Sequence, residues 1–288
     1  MLLARIQITG GQHRGAVTYA CVQTAADGML SYLPVPDPFE PDTSPVTVSA
    51  MPEGPVDSAD VVLLAPCRPR VVLGMAHNTG PADRLLPPQA FHKSPHSVVG
   101  PGRAIELAPG QDRVDAEAEL AVVIGTTARH LTPDTALAAV FGYSCANDVT
   151  DRAAQAADSL WTEAKSADTF TPLGPWISTD LDAADVEVLL GDDDGVGPSA
   201  GTGDLARSVI EVLVYLTSVM TLHAGDVVLT GAPGASRRLR PGACSHVTIP
   251  RIGTLTNPVT IAVVESEADS TVESTVEAAP LATLAGVR

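Results

Sequence analysis

Residues 114–125 read VDAEAELAVVIG, and the reading of this stretch decides the fold. As a strand it alternates: Asp115, Glu117 and Glu119 project from one face while the residues between them project from the other. From Leu120 it turns continuously apolar, as a strand covered on both faces must. Three carboxylates leading into a core strand repel one another and are costly to desolvate unless positive charge sits among them. Two readings follow. One is a solvated strand edge that bears charges. The other is a divalent cation held by hard oxygen donors, which favours Mg²⁺ or Mn²⁺ over Zn²⁺.

Outward from this segment, the runs VVLLA, VVLGM, VVLTG and HVTIP have strand length and are separated by Gly- and Pro-rich turns. They lack the regular strand–helix alternation of a doubly wound sheet. Before them, ARIQI, AVTYACVQ and VTVSA predict a small sheet within residues 1–65. Two helices are predicted. One covers Thr135–Phe141, on the propensity of ALAAV; the other runs from about Gly203 to Leu222, capped by Asp204. Residues 265–288 read as an acidic, flexible tail without chemistry. Gly201-Thr202-Gly203 lacks the context of a nucleotide-binding loop and reads as a turn.

Composition narrows the function. The 288 residues carry 34 acidic and 17 basic side chains, a formal charge of −17. All but two of the basic residues are arginine; the lysines are Lys93 and Lys165. Such acidity argues against nucleic acid and against anionic membranes as partners. The four cysteines form no C-x-x-C pair, and no apolar run has the length of a membrane span. A cytoplasmic enzyme of small molecules is the expectation.

Further motifs carry a resemblance. Besides Glu117–Gly125, G-Y-x-x-x-N-D-V-x-x-R spans Gly142–Arg152, and K-S-x-D-T-F-x-P-L-G-P-W spans Lys165–Trp176. L-x-x-G-D-V-x-x-T-G-x-P follows at Leu222–Pro233, I-G-x-L-x-N-x-V at Ile252–Val259, and F-x-K lies at Phe91–Lys93. In order and spacing these resemble the fumarylacetoacetate hydrolase family from about Cys67 to Val259. The resemblance implies a mainly β (α+β) fold, a mixed β-sandwich roll over residues 66–264, with a small N-terminal β domain at 1–65. It further implies a homodimer acting on 2-oxo or β-diketo acids, with Mg²⁺ or Mn²⁺ bound by Glu117, Glu119 and Asp148. Lys165 would face the developing enolate, and Arg152 and Gln155 would line the pocket. Lys93 would lie near the pocket mouth, and Thr230 would bind the substrate carboxylate.

Two departures stand against the pattern. The family's G-x-N-Y-x-x-H segment reads Gly74-Met75-Ala76-His77-Asn78-Thr79-Gly80, so Gly80 replaces the histidine that activates water, and Asp83 falls at its partner glutamate. A glycine abstracts no proton. Either His77, three residues earlier, or Asp83 takes over as the catalytic base, or water activation is lost. Ala232 replaces the second threonine of T-G-T-P. Decarboxylation and tautomerisation tolerate these losses better than C–C bond hydrolysis. A catalytically silent protein that binds a ligand or partner is the alternative.

Overall fold

A computed structural model of the chain describes residues 1–40, 51–234 and 236–263. The longer strands run Leu2–Ile8 (β1), Val17–Thr24 (β2), Leu30–Val35 (β3), Val61–Leu64 (β4), Val72–Ala76 (β5), Gln89–Lys93 (β6), Ile105–Leu107 (β7) and Val114–Ile124 (β8). They continue with Val140–Asn147 (β9), Thr171–Ser178 (β10), Glu187–Asp192 (β11), Val227–Leu229 (β12), Ser236–Arg238 (β13), Cys244–Ile249 (β14) and Gly253–Ile261 (β15). The large sheet is ordered β3-β2-β1-β10-β9-β8-β12-β5-β6, with β4 on β1 and β13 on β8. A second sheet, β11-β14-β15-β7, packs across it. Most pairings are antiparallel, but β12–β5 and β15–β7 are parallel. The protein is thus mainly β, a mixed sandwich with few helices, as expected.

Strand β8 is the hinge of the architecture because its faces do different work. The even positions, Val114 through Ile124, all enter the core between the two sheets. On the odd face Ala121 and Val123 enter a second cluster with Cys67, Leu173 and Leu229. The same odd face carries Asp115, Glu117 and Glu119 at its other end, so the acids sit where one buried face opens. In the N-terminal region Ala4, Ile6, Ile8, Ala20 and Tyr32 share a small core. Its β1 is hydrogen-bonded to β10, with Leu2 opposite Ser178 and Leu3 opposite Ile177.

Both predicted helices need correction. Thr135–Phe141 gives only one 3₁₀ turn, Ala136–Ala139, before β9 begins at Val140. The Gly125 amide donates to the Ala139 carbonyl (2.7 Å), which delivers the following residues into register with β8. Sheet pairing outweighs the helix propensity of so short a segment. The second helix spans Val209–Val219 (α3) rather than starting near Gly203. Ser208 caps it, and Glu211 three residues on completes a capping box. Asp204 instead ends a separate 3₁₀ turn, Thr202–Asp204. The predicted stripe still holds, since Val209, Val212, Leu213 and Leu216 are buried. Two short helices, Arg152–Ala157 (α1) and Thr162–Ser166 (α2), lie beside the acidic end of β8. The expected strand VTVSA and the acidic tail fall outside the described residues.

Candidate active site

Asp148 reaches the acidic face because β9 runs antiparallel to β8, with Asn147 opposite Ala118. The next amide, that of Asp148, donates to the Glu117 carbonyl at 2.9 Å. The Asn147 side chain accepts from the Glu117 amide at 3.0 Å. Backbone pairing therefore sets Asp148 beside Glu117, although the two are far apart in sequence.

Around these acids stand three cations. Lys165, on α2, donates to Glu117 Oε2 (2.9 Å) and to Asp148 Oδ2 (2.5 Å). Lys93, at the end of β6, donates to Asp148 Oδ1 (2.6 Å) and to the Val149 carbonyl (3.3 Å). Arg152 opens α1, where the Asp151 carboxylate caps the helix. Its guanidinium donates to Asp115 (2.8 Å), Glu117 Oε1 (2.7 Å) and Gln155 Oε1 (2.9 Å). Thr150 Oγ1 also donates to Glu117 Oε2, at 3.0 Å. Sequence reasoning did not single out Thr150; its signal was its place two residues after Asp148.

Glu119 differs from its neighbours. It is buried, and among the described residues it accepts one hydrogen bond, from the Gly231 amide at 2.6 Å. Burial pushes its carboxyl well above the usual carboxylate range, and the charges of Asp148 and Glu117 push it the same way. Burial also acts to raise Asp148, but Lys165 and Lys93 hold it below the ordinary value. For Lys165 burial works toward neutrality, and Asp148 and Glu117 overcome it, so this ammonium stays charged. Lys93 goes the other way, lowered by burial that Asp148 only partly offsets.

These groups open into a cavity of about 350 Å³. Glu117, Glu119, Asp148, Arg152, Gln155, Lys165, His77 and Asp83 all line it, so eight of the ten expected residues come together. Two do not. Lys93, expected near the mouth, has a fully buried side chain beneath Asp148. Thr230 is also buried, and its hydroxyl donates to the Leu120 carbonyl (2.9 Å) rather than facing the cavity. The neighbouring Gly231 and Ala232 form that wall instead. Gly231 has φ +105°, and a Cβ there would fall 2.1 Å from the Asn78 carbonyl oxygen. Only glycine brings its amide to Glu119 at this point.

The segment that departs from the family pattern borders the same cavity. His77 adopts φ +52°, and its ring stands edge-on to Trp161 at 6.1 Å. Trp161 in turn meets Phe91 at 5.6 Å, and Phe91 lies 4.8 Å from Lys165 Nζ. The Asp83 carboxylate accepts from both the amide and the hydroxyl of Thr79, each at 2.8 Å. The Thr79 bonds lower its pKa, and the His77 imidazole acts in the same direction.

For a hard divalent cation the donor chemistry fits: three carboxylates on one cavity wall and no sulfur or nitrogen among them. One of them, Glu119, is buried and forms no ion pair among the described residues. The spacing is that of an ion-paired set. Among the described residues no three His, Cys, Asp or Glu side chains are grouped to hold an ion as they stand. Lys165 bridges two of the three.

The sequence profile described as fumarylacetoacetate (FAA) hydrolase C-terminal matches residues 69–260. Among solved structures, 5-carboxymethyl-2-hydroxymuconate delta-isomerase from Mycobacterium smegmatis is similar, with TM-score 0.80 and 32% identity. That likeness covers 91% of this chain and 100% of the other. The 2-hydroxyhepta-2,4-diene-1,7-dioate isomerase from Mycobacterium marinum gives TM-score 0.79 and 34% identity, over 91% and 98% of the two chains. By sequence, the maleylpyruvate hydrolase of Aquipseudomonas alcaligenes is 36% identical over 169 residues, 58% of each protein. With the profile spanning two thirds of its length, this chain belongs to the fumarylacetoacetate hydrolase family of enzymes.

Proposed function

We propose that the chain binds Mg²⁺ or Mn²⁺ through Glu117, Glu119 and Asp148 and acts on a 2-oxo or β-diketo acid through an enolate. Tautomerisation or isomerisation is the reaction its residues suit best. The observation that carries this reading is the charge arrangement in one cavity. Lys93, Lys165 and Arg152 pair with Asp115, Glu117 and Asp148, while buried Glu119, which feels Lys165 only at a distance, forms no ion pair among the described residues. Uncompensated buried carboxylate is costly, and a bound cation removes that cost. When bound, such an ion supplies Lewis acidity toward the carboxylate and neighbouring carbonyl oxygen of an oxo acid.

The chain's own groups supply the rest. Lys165 remains an ammonium, and its two carboxylate bonds leave one N–H to donate to an enolate oxygen. Arg152 fixes Glu117 and holds Gln155 by its oxygen, which leaves the Gln155 amide N–H groups for substrate. His77 is the imidazole that lines the cavity, and it carries the proton between carbon and oxygen. Asp83 is spent on Thr79 and supports the local turn. Without a histidine at position 80, hydrolysis has no group placed as the family places it. The names of two structural relatives, both isomerases, agree with this emphasis, while relatives named as hydrolases, by sequence and among solved structures, favour C–C bond hydrolysis as the second reading. The proposal includes a homodimer in the cytoplasm, in keeping with four free cysteines.

Incubation with Mg²⁺ and acylpyruvates, followed by product analysis, tests the assignment. An unchanged carbon skeleton with a moved proton or double bond is expected. Two acids would indicate hydrolysis, and CO₂ decarboxylation. No metal-dependent turnover of any oxo acid would overturn the proposal in favour of a silent binding protein.

A further inference from the structure

Residues 77–88 join β5 to β6, whose pairing sets Ala76 opposite Gln89. Connections inside a hairpin are ordinarily about two to five residues long. This one is far longer, and most of its residues are exposed. Its internal bonds, from Thr79 to the Asp83 carboxylate and from the Leu86 amide to the Asp83 carbonyl, shape the loop without fixing it to the protein. Yet it carries His77, the imidazole at the cavity, at a φ of +52° that side chains rarely adopt. Such a conformation persists only where neighbouring contacts hold it.

Side-chain bonds tie the loop to the residues leading into α3. Asn78 donates to the Arg207 carbonyl at 3.1 Å and accepts from the Arg207 amide at 2.7 Å. The Arg207 side chain then reaches both legs of the loop: Nη1 donates to the His77 carbonyl at 3.2 Å, and Nη2 to the Leu86 carbonyl. Arg84 adds a bond to the Ala206 carbonyl at 2.6 Å, but its pair with Glu211 is solvent-exposed and worth little. Arg207 lies behind the loop, outside the lining of the cavity, and is only 7% exposed. It forms no ion pair among the described residues. Leu205, Ala206 and Val209 beside it in sequence are buried and apolar, so an apolar side chain would suit the stretch without the cost of desolvating a charge. What a guanidinium provides here is a rigid fork whose two arms reach two carbonyls at once.

We infer that Arg207 is a positioning residue for proton transfer: it staples the His77 and Leu86 legs of the 77–88 loop and so holds the His77 imidazole at the cavity. This role rests on the reading of His77 as the group that carries the proton, and goes beyond it in naming what keeps that group in place.

Two measurements on the wild type, Arg207→Met and Arg207→Lys test it. Hydrogen–deuterium exchange followed by mass spectrometry reads the loop without any substrate. In Arg207→Met the amides of residues 79–88 are expected to exchange about ten- to a hundredfold faster, the worth of a lost charge-assisted contact, while the strands keep their protection. Exchange of the C3 protons of acetylpyruvate with Mg²⁺ reads the chemistry. Its rate at saturating acetylpyruvate should fall about ten- to a hundredfold in Arg207→Met, as for a misplaced reacting group, with the half-saturating concentration little changed. Arg207→Lys, which folds with a charge at the same place, recovers part of both losses. In a His77→Ala background Arg207→Met should cost nothing further, because the group it positions is gone. An equal loss in that background, a His77→Ala protein as active as wild type, or unchanged loop exchange would each overturn the inference. If the wild type does not accelerate acetylpyruvate exchange at all, the enolate reading fails and loop exchange alone decides Arg207. Faster exchange confined to residues 79–88 would then uphold the staple; an unchanged loop, or a rise spread over the whole chain, would overturn it.

Discussion

Asp148→Asn keeps the shape of the side chain at the centre of the cavity and removes its charge. In the wild type the Lys93 ammonium is fully buried and, among the described residues, pairs with Asp148 alone, at 2.6 Å. The substitution leaves that ammonium with an amide oxygen and the Val149 carbonyl. Lys165 keeps its bond to Glu117, so it suffers less. Removing one partner of a buried pair costs about 3–5 kcal/mol. In a chain of this size that corresponds to a fall in Tm of roughly 10 °C. Lys93→Met removes the stranded charge, so Lys93→Met/Asp148→Asn should be more stable than the sum of its single losses, by about 1–3 kcal/mol. Urea unfolding of the metal-free protein, followed by the fluorescence of its two tryptophans, measures all four states. An Asp148→Asn protein within about 1 kcal/mol of wild type would refute the argument that burial makes this pair costly to break. Strict additivity in the double variant would refute it as well.

Other consequences are equally open to measurement. His77→Ala should lower kcat by about 10²–10⁴-fold, the range of a lost general acid or base, whereas Asp83→Ala should cost far less. Comparable effects would make the two a catalytic pair. Gly231→Ala must place a methyl group against the Asn78 carbonyl at a backbone angle that disfavours side chains, a loss of at least about 1–3 kcal/mol of stability by thermal unfolding. It should also weaken metal binding, because the Gly231 amide holds Glu119. Glu211 has its pKa lowered to about 2, chiefly by its bond to Arg84. A depressed acid stabilises the folded form above its unfolded pKa and loses that contribution as pH falls through the folded value. The stability difference between wild type and Glu211→Gln should therefore be full at neutral pH and vanish between about pH 5 and pH 2. A difference independent of pH would contradict the ion pair.

The alternation in residues 114–125 was enough to read a two-faced strand, and the change to continuous apolar sequence at Leu120 marked where it becomes fully enclosed. Asp148, Arg152 and Lys165 were legible as positions in motifs, and they converge on the cavity. Depth was not legible. Lys93 is buried against Asp148 and the Val149 carbonyl rather than at the mouth, a matter of contacts between distant segments with no local signature. Thr230 turns to the Leu120 carbonyl because β12 pairs with β8 there. The start of α3 was misplaced for a similar reason. The Arg207 amide donates to Asn78, 129 residues earlier in the chain, at 2.7 Å, which holds the preceding residues out of the helix until Ser208 caps it. Sequence spacing specifies which groups belong to one face; hydrogen bonds between distant segments specify how deep each lies.

The central claim is that Glu117, Glu119 and Asp148 hold a divalent cation that stabilises an enolate. Exchange of the C3 protons of acetylpyruvate for deuterium, followed by NMR in D₂O with Mg²⁺, tests it most directly. The wild type should accelerate exchange in a manner abolished by EDTA, restored by Mg²⁺ and lost in Glu119→Gln. Exchange no faster than in buffer, or equally fast with Glu119→Gln, would contradict it.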